Sequence, residues 1–194
     1  MPKSPGYGML WRTGCIKGTW RAQPVDGLQE NDFDLVVRRN THADVFMSSA
    51  LRDIHGNDKS ELPGNAVSHH LGDELASKKI THVFCVGTAG DLCISHTAMD
   101  VASAGFKTYV IEDVTKSFDA RKGWPAMKKT LKAKGVEVVM MDGPEVGKVR
   151  ALSIGGTQGQ GTPTGAQGSP ATMVFMATSM GLSSLGIRPS KLKG

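Results

Sequence analysis

Short apolar runs alternate with amphipathic stretches through the middle of the chain. The runs "THVFCV", "FKTYVIED" and "VEVVMM" predict strands, and the first is apolar at successive positions, as in a strand buried on both faces of a parallel sheet. Two helical patterns separate them, one with Ile94, Ala98, Val101 and Ala102 on one face and one over "PAMKKTLKAK". This order predicts an α/β fold of three layers, a doubly wound, mostly parallel sheet with helices on both faces.

Local signals predict where these elements begin and end. Gly105 and Gly135 follow the two helices as terminating glycines, and Pro125 suits the first turn of the second helix. Upstream, "DLVVRR" predicts a strand from Asp34 to Arg39, and Ser68 is expected to cap a helix over "HHLGDELASKK".

The composition changes beyond about Arg150. The stretch "GGTQGQGTPTGAQGSP" lacks periodicity and predicts a disordered segment or a linker. The following "ATMVFMATSMGLSSLGI" is apolar but broken by Gly and Ser, and we interpret it as a tail rather than as a docking segment. We therefore expect a domain over residues 1–150 and a low-complexity, disordered tail over residues 151–194.

Composition excludes several classes of protein. With 194 residues, 39% of them hydrophobic, the chain suits one globular domain, and no apolar run is long enough to span a bilayer. The net charge of +5 is scattered, without the dense basic stripe or interleaved aromatics of a nucleic-acid-binding protein. The basic N-terminus is interrupted by prolines and glycines and does not predict a transit helix, so we expect a cytoplasmic protein with neither nucleic-acid nor membrane partners.

The three cysteines, Cys15, Cys85 and Cys93, form no CxxC pair and no even disulfide framework, which is typical of a reducing compartment. Cys85 lies in the middle of a predicted strand and is interpreted as a small buried side chain. Cys93 follows the turn "GTAG" where strand gives way to helix, the place where catalytic groups collect in doubly wound sheets. There the backbone N–H groups at the helix start favour a thiolate, which predicts a nucleophile suited to acyl transfer.

The segment "VGTAGDLCISHTAMDVASAGFKTYVIED" resembles the nucleophile segment of the isochorismatase-like cysteine hydrolases, in particular the nicotinamidase branch. Weaker resemblances lie upstream, in "LWRTGCIKGT" and "DLVVRRNTHADVFMSSAL". Together they extend over roughly residues 10–142, so the fold is expected to be an incomplete isochorismatase-like fold.

This resemblance implies hydrolysis of a small-molecule amide such as nicotinamide, a step of pyridine nucleotide biosynthesis. The cysteine, here Cys93, attacks the carboxamide, an Asp relays the proton, ammonia leaves, and water hydrolyses the thioester. The oxyanion donors fall on the backbone N–H groups of Cys93 and Ala89, and a cis peptide is expected at Thr88–Ala89. The activating lysine falls on Arg39, which keeps the charge but does not readily release a proton. A homo-oligomer is possible.

Other positions depart from the family pattern. Two pocket aromatics fall on Ser48 and Leu51, and a histidine falls on Gly14. The strand with the catalytic Asp and the site for a divalent metal such as zinc are expected upstream of Met1, so no cofactor is expected within this chain. Three alternatives therefore stay open: an active nicotinamidase-like amidohydrolase, a catalytically impaired relative acting as a binding or assembly subunit, and a truncated gene model of a full enzyme.

Overall fold

The computed structural model describes residues 19–20, 31, 33–42, 44–58, 60–154, 172–178 and 186–187. Six strands, four α-helices and one π-helical turn lie in these ranges. In chain order they are β1 (Leu35–Val36), α1 (Leu71–Ser77), β2 (Ile80–Thr88), the π-helical turn (Gly90–Ile94), α2 (Ser95–Ser103), β3 (Lys107–Lys116), α3 (Gly123–Ala133), β4 (Val136–Val139), α4 (Pro144–Ile154), β5 (Thr172–Thr178) and β6 (Gly186–Ile187).

The six strands form one sheet in the order β1-β6-β5-β2-β3-β4. Strand β2 pairs in parallel with both β3 and β5, and β3 pairs in parallel with β4. Only β6 runs antiparallel to its neighbours β1 and β5. The predicted mostly parallel sheet is therefore confirmed, and β2, which leads into the turn before Cys93, lies in its interior.

Alternating side chains of the inner strands divide the core between the two faces of the sheet. Val83 and Cys85 of β2 belong to the larger cluster, which also contains buried residues of α1, α2 and α3. Phe84 points to the other face, where it belongs to the smaller cluster with Val146 and Val149 of α4. Helices thus cover both faces, and the three-layer prediction holds.

The predicted start of the first helix is wrong. Helix α1 begins at Leu71, its N-cap residue is His70, and no side chain caps it. The hydroxyl of Ser68 instead accepts a hydrogen bond from the N–H of Arg38 at 2.7 Å. The N–H of Ser68 donates in return to the carbonyl of Arg38 at 2.7 Å. The Ser68 hydroxyl therefore forms a hydrogen bond with a residue distant in sequence instead of capping the helix.

The strand predicted from Asp34 to Arg39 is shorter than expected, because only Leu35 and Val36 form β1. Beyond it, Arg39 makes an isolated antiparallel bridge with Val67. This part of the chain therefore runs as an extended segment tied to a distant loop rather than as a full strand.

The interpretation of residues 151–194 as a tail is wrong for part of that range. Helix α4 continues to Ile154, and residues 172–178 form β5, which lies between β6 and β2 inside the sheet. The alternative of a docking segment describes this stretch better, since its backbone pairs with the nucleophile strand. The segment "GGTQGQGTPTGAQGSP" lies outside the described residues, and the domain boundary at residue 150 stays a prediction.

Within the part of the chain that the structure describes, no helix is both long enough and apolar enough to cross a membrane.

Candidate active site

The turn between β2 and α2 is built from small residues and irregular backbone. Gly87 has a φ of +123°, and the peptide bond between Thr88 and Ala89 is cis, at the place that the family resemblance indicated. One π-helical turn, Gly90–Ile94, follows and leads directly into α2. Within it Leu92 departs from helical geometry, with φ −133° and ψ −108°. This turn carries Cys93 to the carboxyl edge of the sheet.

Gly90 is required by the close packing of this turn. A Cβ at this position would lie 2.7 Å from Cγ2 of Thr115 and 2.8 Å from Oγ of Ser117. Behind it, the buried hydroxyl of Ser95 donates to the carbonyl oxygen of Gly90. The turn is therefore pressed against the end of β3 with no room for a side chain.

Asp91 fixes the turn to the loop that precedes α3. Its two carboxylate oxygens accept the N–H groups of Phe118 and Asp119, each at 2.7 Å. The side chain is 8% exposed. A Cβ on Gly123 would lie 2.8 Å from Oδ2 of Asp91, so the absence of a side chain there makes room for the carboxylate. Asp91 is therefore a positioning residue that ties the turn to this loop.

Cys93 is buried, with 5% of its surface exposed. Its Sγ lies 3.5 Å from the carbonyl oxygen of Thr88 and 3.9 Å from that of Ala89, so the thiol donates toward the main chain. These oxygens carry partial negative charge, whereas a cysteine nucleophile reacts as a thiolate, which a positive neighbour stabilises. The group that can favour the thiolate must therefore come from elsewhere in the fold.

That group is the guanidinium of Arg39. Its side chain is 9% exposed, forms a hydrogen bond with Cys93 and donates from Nη1 to the carbonyl of Met47. Burial lowers the pKa of Arg39, while the nearby Cys93 acts in the opposite direction. A buried cation in contact with sulfur stabilises the anion of that sulfur. Cys93 and Arg39, which are distant in sequence, are therefore brought together.

Several main-chain links hold the segment around Arg39 in place. The bridge to Val67 and the paired hydrogen bonds between Arg38 and Ser68 anchor one side. Asn40, with a φ of +56°, closes the following loop by accepting the N–H of Met47 through Oδ1. Because Met47 also receives the Arg39 guanidinium, the loop sets both the backbone and the side chain of the arginine.

His96 belongs to the same cluster, although the sequence interpretation assigned it no role. It lies one turn beyond Cys93, and its Nδ1 atom is buried without a hydrogen-bond partner among the described residues. Burial lowers the pKa of His96, Asp100 raises it, and the positive charge of Arg39 lowers it. The signal that could have found this residue is its spacing of three from the nucleophile, since such positions share a helix face.

Cys85 lies in the middle of β2 and is 2% exposed. Burial raises the pKa of its thiol to about 12, and no charged group offsets that effect. The interpretation of Cys85 as a buried packing residue agrees with this environment, whereas Cys15 lies outside the described residues.

The remaining predicted site residues lie near the turn or near the Arg39 loop. Thr88 and Ala89 flank the cis peptide bond. The carbonyl of Ala89 accepts the N–H groups of Leu92 and Ile94, each at 3.2 Å. The assignment of the Ala89 and Cys93 N–H groups as oxyanion donors stays a prediction.

Ser48 and Leu51, at the positions of the family's pocket aromatics, are partly exposed. An aromatic ring is nevertheless present in this loop, because Phe46 precedes Met47 and is 57% exposed. Gly14 lies outside the described residues.

No group of three or more His, Cys, Asp and Glu residues that could hold a metal ion occurs in the described ranges. The described residues therefore supply no ligand set for the divalent metal that the family resemblance implies.

Comparisons with known proteins show which proteins this chain is similar to. The model of the isochorismatase domain matches residues 8–142. The nicotinamidase of Acinetobacter baylyi is 28% identical over 132 residues, which cover 68% of this chain and 58% of that protein.

Two solved structures share the fold. The nicotinamidase/pyrazinamidase of Acinetobacter baumanii has a TM-score of 0.58 and 30% identity, over 68% of this chain and 59% of that one. The L. infantum PnC1 protein in complex with nicotinate has a TM-score of 0.58 and 28% identity, over 69% and 62% of the two chains. This chain thus spans about three fifths of the length of the relatives it matches. From the matched domain model, which extends over most of the sequence, the chain belongs to the isochorismatase domain family.

Proposed function

We propose that this protein is a nicotinamidase-like amidohydrolase in which Cys93 attacks a small carboxamide such as nicotinamide. The observation that carries the proposal is the contact between the Cys93 thiol and the buried Arg39 guanidinium at the carboxyl edge of β2. The nicotinamidase relatives, and the related structure that holds nicotinate, support the choice of substrate class.

In the proposed reaction the Cys93 thiolate forms a bond to the carboxamide carbon. The C–N bond then breaks as the departing nitrogen takes up one proton from solvent, so neutral ammonia leaves and a thioester remains on Cys93. Water attacks this thioester and releases the carboxylic acid and the free thiol. Arg39 stabilises the thiolate before it attacks and again as it departs from the thioester carbon, but does not serve as the proton acceptor, because guanidinium keeps its proton at neutral pH. The carboxylic acid from nicotinamide would enter pyridine nucleotide biosynthesis, and we propose a cytoplasmic location.

The test measures ammonia release from nicotinamide by the purified protein and by two matched cysteine variants. Cys93→Ala is expected to reduce the rate to the uncatalysed background, because the nucleophile is lost. Cys85→Ala, which removes the other described thiol, is expected to retain turnover. Wild-type turnover that persists undiminished in Cys93→Ala would remove Cys93 from the mechanism.

A second candidate function is a binding or assembly subunit without turnover. The observation that favours it is the identity of Arg39, whose guanidinium cannot exchange a proton as a lysine amine can. This alternative predicts no ammonia release together with a Cys93 that alkylates no faster than an ordinary exposed thiol. A fast-reacting Cys93 would instead favour the hydrolase.

A further inference from the structure

The two sides of the candidate site follow strands that are not neighbours in the sheet. Strand β2 leads into the turn with Cys93, and β1 is followed, three residues after its end, by Arg39. The sheet order places β6 and β5 between these two strands. Because neighbouring strands lie about 4.8 Å apart, about 14 Å of sheet separates β1 from β2. The strands that fill this interval therefore set the distance between the two sides of the site.

Both intervening strands come from the C-terminal part of the chain, beyond residue 142, where the match to the domain model ends. Strand β5 is parallel to β2, and β6 is antiparallel to both β5 and β1. Strand β1 is therefore parallel to β2, and the two strands end at the same edge of the sheet. In open α/β sheets this is the edge at which ligands bind. The C-terminal strands thus direct the Arg39 segment and the Cys93 turn to one edge.

The pairing register aligns the two sides residue by residue. One row of paired residues crosses from β1 to β2 through both C-terminal strands, and it consists of Val36, Gly186, Ala177 and Val86. A slip of one residue in any of these pairings would move β1 along the strand direction by about 3.3 Å relative to β2. A displacement of that size is enough to break a hydrogen bond. The contact between Arg39 and Cys93 therefore requires this register.

We propose that β5 and β6 are a positioning element of this site, which holds the Arg39 segment in register with the turn that carries Cys93. The inference rests on the proposed function, because it takes Cys93 as the nucleophile and Arg39 as the cation that favours its thiolate. It gives a role in that function to a part of the chain outside the matched domain. The two strands act on the reaction through Arg39 and need no contact with the substrate.

The experiment compares Ile187→Pro with Val139→Pro in the full chain. Ile187 ends β6 opposite Leu35 of β1, and Val139 ends β4 opposite Ile111 of β3. Proline has no N–H to donate and disrupts the pairing of a strand. Each variant therefore weakens one link of the sheet, on opposite sides of β2, and only Ile187→Pro weakens the link to the Arg39 segment.

Alkylation of Cys93 by iodoacetamide is followed from pH 5 to 10. Ile187→Pro is expected to move the midpoint of the alkylation profile to higher pH by about one unit, which slows the reaction at pH 7 about tenfold. Val139→Pro is expected to keep the wild-type midpoint. A wild-type midpoint in Ile187→Pro would overturn the proposal. The hydrogen bond at 3.1 Å from the N–H of Ala50 to the hydroxyl of Thr97 would then suffice to hold the Arg39 loop.

The same substitution in an Arg39→Met background tests whether the strands act through the arginine. The proposal predicts that Ile187→Pro causes no further shift of the midpoint there, because residues that act through one contact are not additive. A further shift of the same size would contradict it, since the strands would then act on Cys93 by another route. If Ile187→Pro unfolds the chain, Ile187→Gly with Val139→Gly as its control gives a milder comparison, because glycine weakens a strand but keeps the N–H.

Hydrogen exchange in the wild type tests the element without any substitution. Peptides from residues 172–178 are expected to exchange as slowly as peptides from β2, because the two strands pair inside the sheet. Exchange of residues 172–178 at the rate of an unfolded chain would overturn the proposal. Neither alkylation nor exchange uses an amide substrate. A chain that hydrolyses no carboxamide therefore defeats the proposed function alone, while these measurements still decide the role of β5 and β6.

Discussion

The two sides of the candidate site are built in different ways. The turn from Thr88 to Ser95 follows from local rules, since a buried strand, a run of small residues and an amphipathic helix succeed one another along the chain. The segment around Arg39 is an extended stretch held by links to Val67 and Ser68. The nucleophile is therefore positioned by residues close to it in sequence, whereas its activating cation is positioned by residues far from it in sequence.

The strongest expected change on the turn side comes from Asp91. Asp91→Ala removes both acceptors for the N–H groups of Phe118 and Asp119. Hydrogen bonds to a charged group contribute about 1.5–3 kcal/mol each, so we expect a loss of about 3 kcal/mol in the free energy of unfolding. Urea denaturation measures this, with Asp142→Asn, an exposed carboxylate, as the control. Equal urea midpoints for Asp91→Ala and Asp142→Asn would mean that the hydrogen bonds to Asp91 do not hold the turn.

A smaller loss is expected from filling the space at Gly90. Gly90→Ala places a Cβ 2.7 Å from Thr115 and forces the turn away from β3. Overpacking of this kind typically costs about 1–3 kcal/mol, and we expect about 2 kcal/mol together with reduced activity. Gly64→Ala is the matched control, because a Cβ there meets nothing within 4 Å. Equal melting temperatures for Gly90→Ala and Gly64→Ala would show that the turn can accommodate a Cβ at residue 90.

The smallest stability change is expected on the Arg39 side. Ser68→Ala removes the hydroxyl that accepts the N–H of Arg38, and a single exposed hydrogen bond contributes about 0.5–1.5 kcal/mol. We expect a loss of less than about 1 kcal/mol in the free energy of unfolding. We also expect a measurable fall in the reactivity of Cys93, because the segment that carries Arg39 loses one of its hydrogen bonds. The control is Ser103→Ala, on the exposed end of α2. Unchanged alkylation in Ser68→Ala would mean that the bridge to Val67 suffices.

The same contrast explains how much of the fold the sequence could predict. Strands β2, β3 and β4 and helices α2 and α3 were recognisable because hydrophobic periodicity and terminating glycines are local signals. Gly105 and Gly135 do have positive φ values, 96° and 78°. Strand β5 was not predicted, because its position is set by pairing with β2, which lies far upstream in the sequence. That pairing produces no hydrophobic periodicity within residues 172–178.

Prediction of the site was limited in the same way, because its two sides are far apart in sequence. Cys93 could be found from its position after a strand and a tight turn. The contact with Arg39 came only from family resemblance, since no spacing rule links residues 39 and 93. The shift of Ser68 from helix cap to anchor likewise depended on Arg38, a partner outside the local sequence.

The most direct test is the alkylation rate of Cys93 at pH 7 in the wild type, Arg39→Met and Arg38→Met, mapped by peptide mass with Cys85 as the internal reference. Arg38 is exposed and adjacent, so it controls for loss of charge in general. One unit of thiol pKa changes the thiolate fraction about tenfold. The account predicts that Cys93 reacts well before Cys85, that Arg39→Met slows it about tenfold or more, and that Arg38→Met leaves it unchanged. Equal Cys93 rates in all three proteins would contradict it.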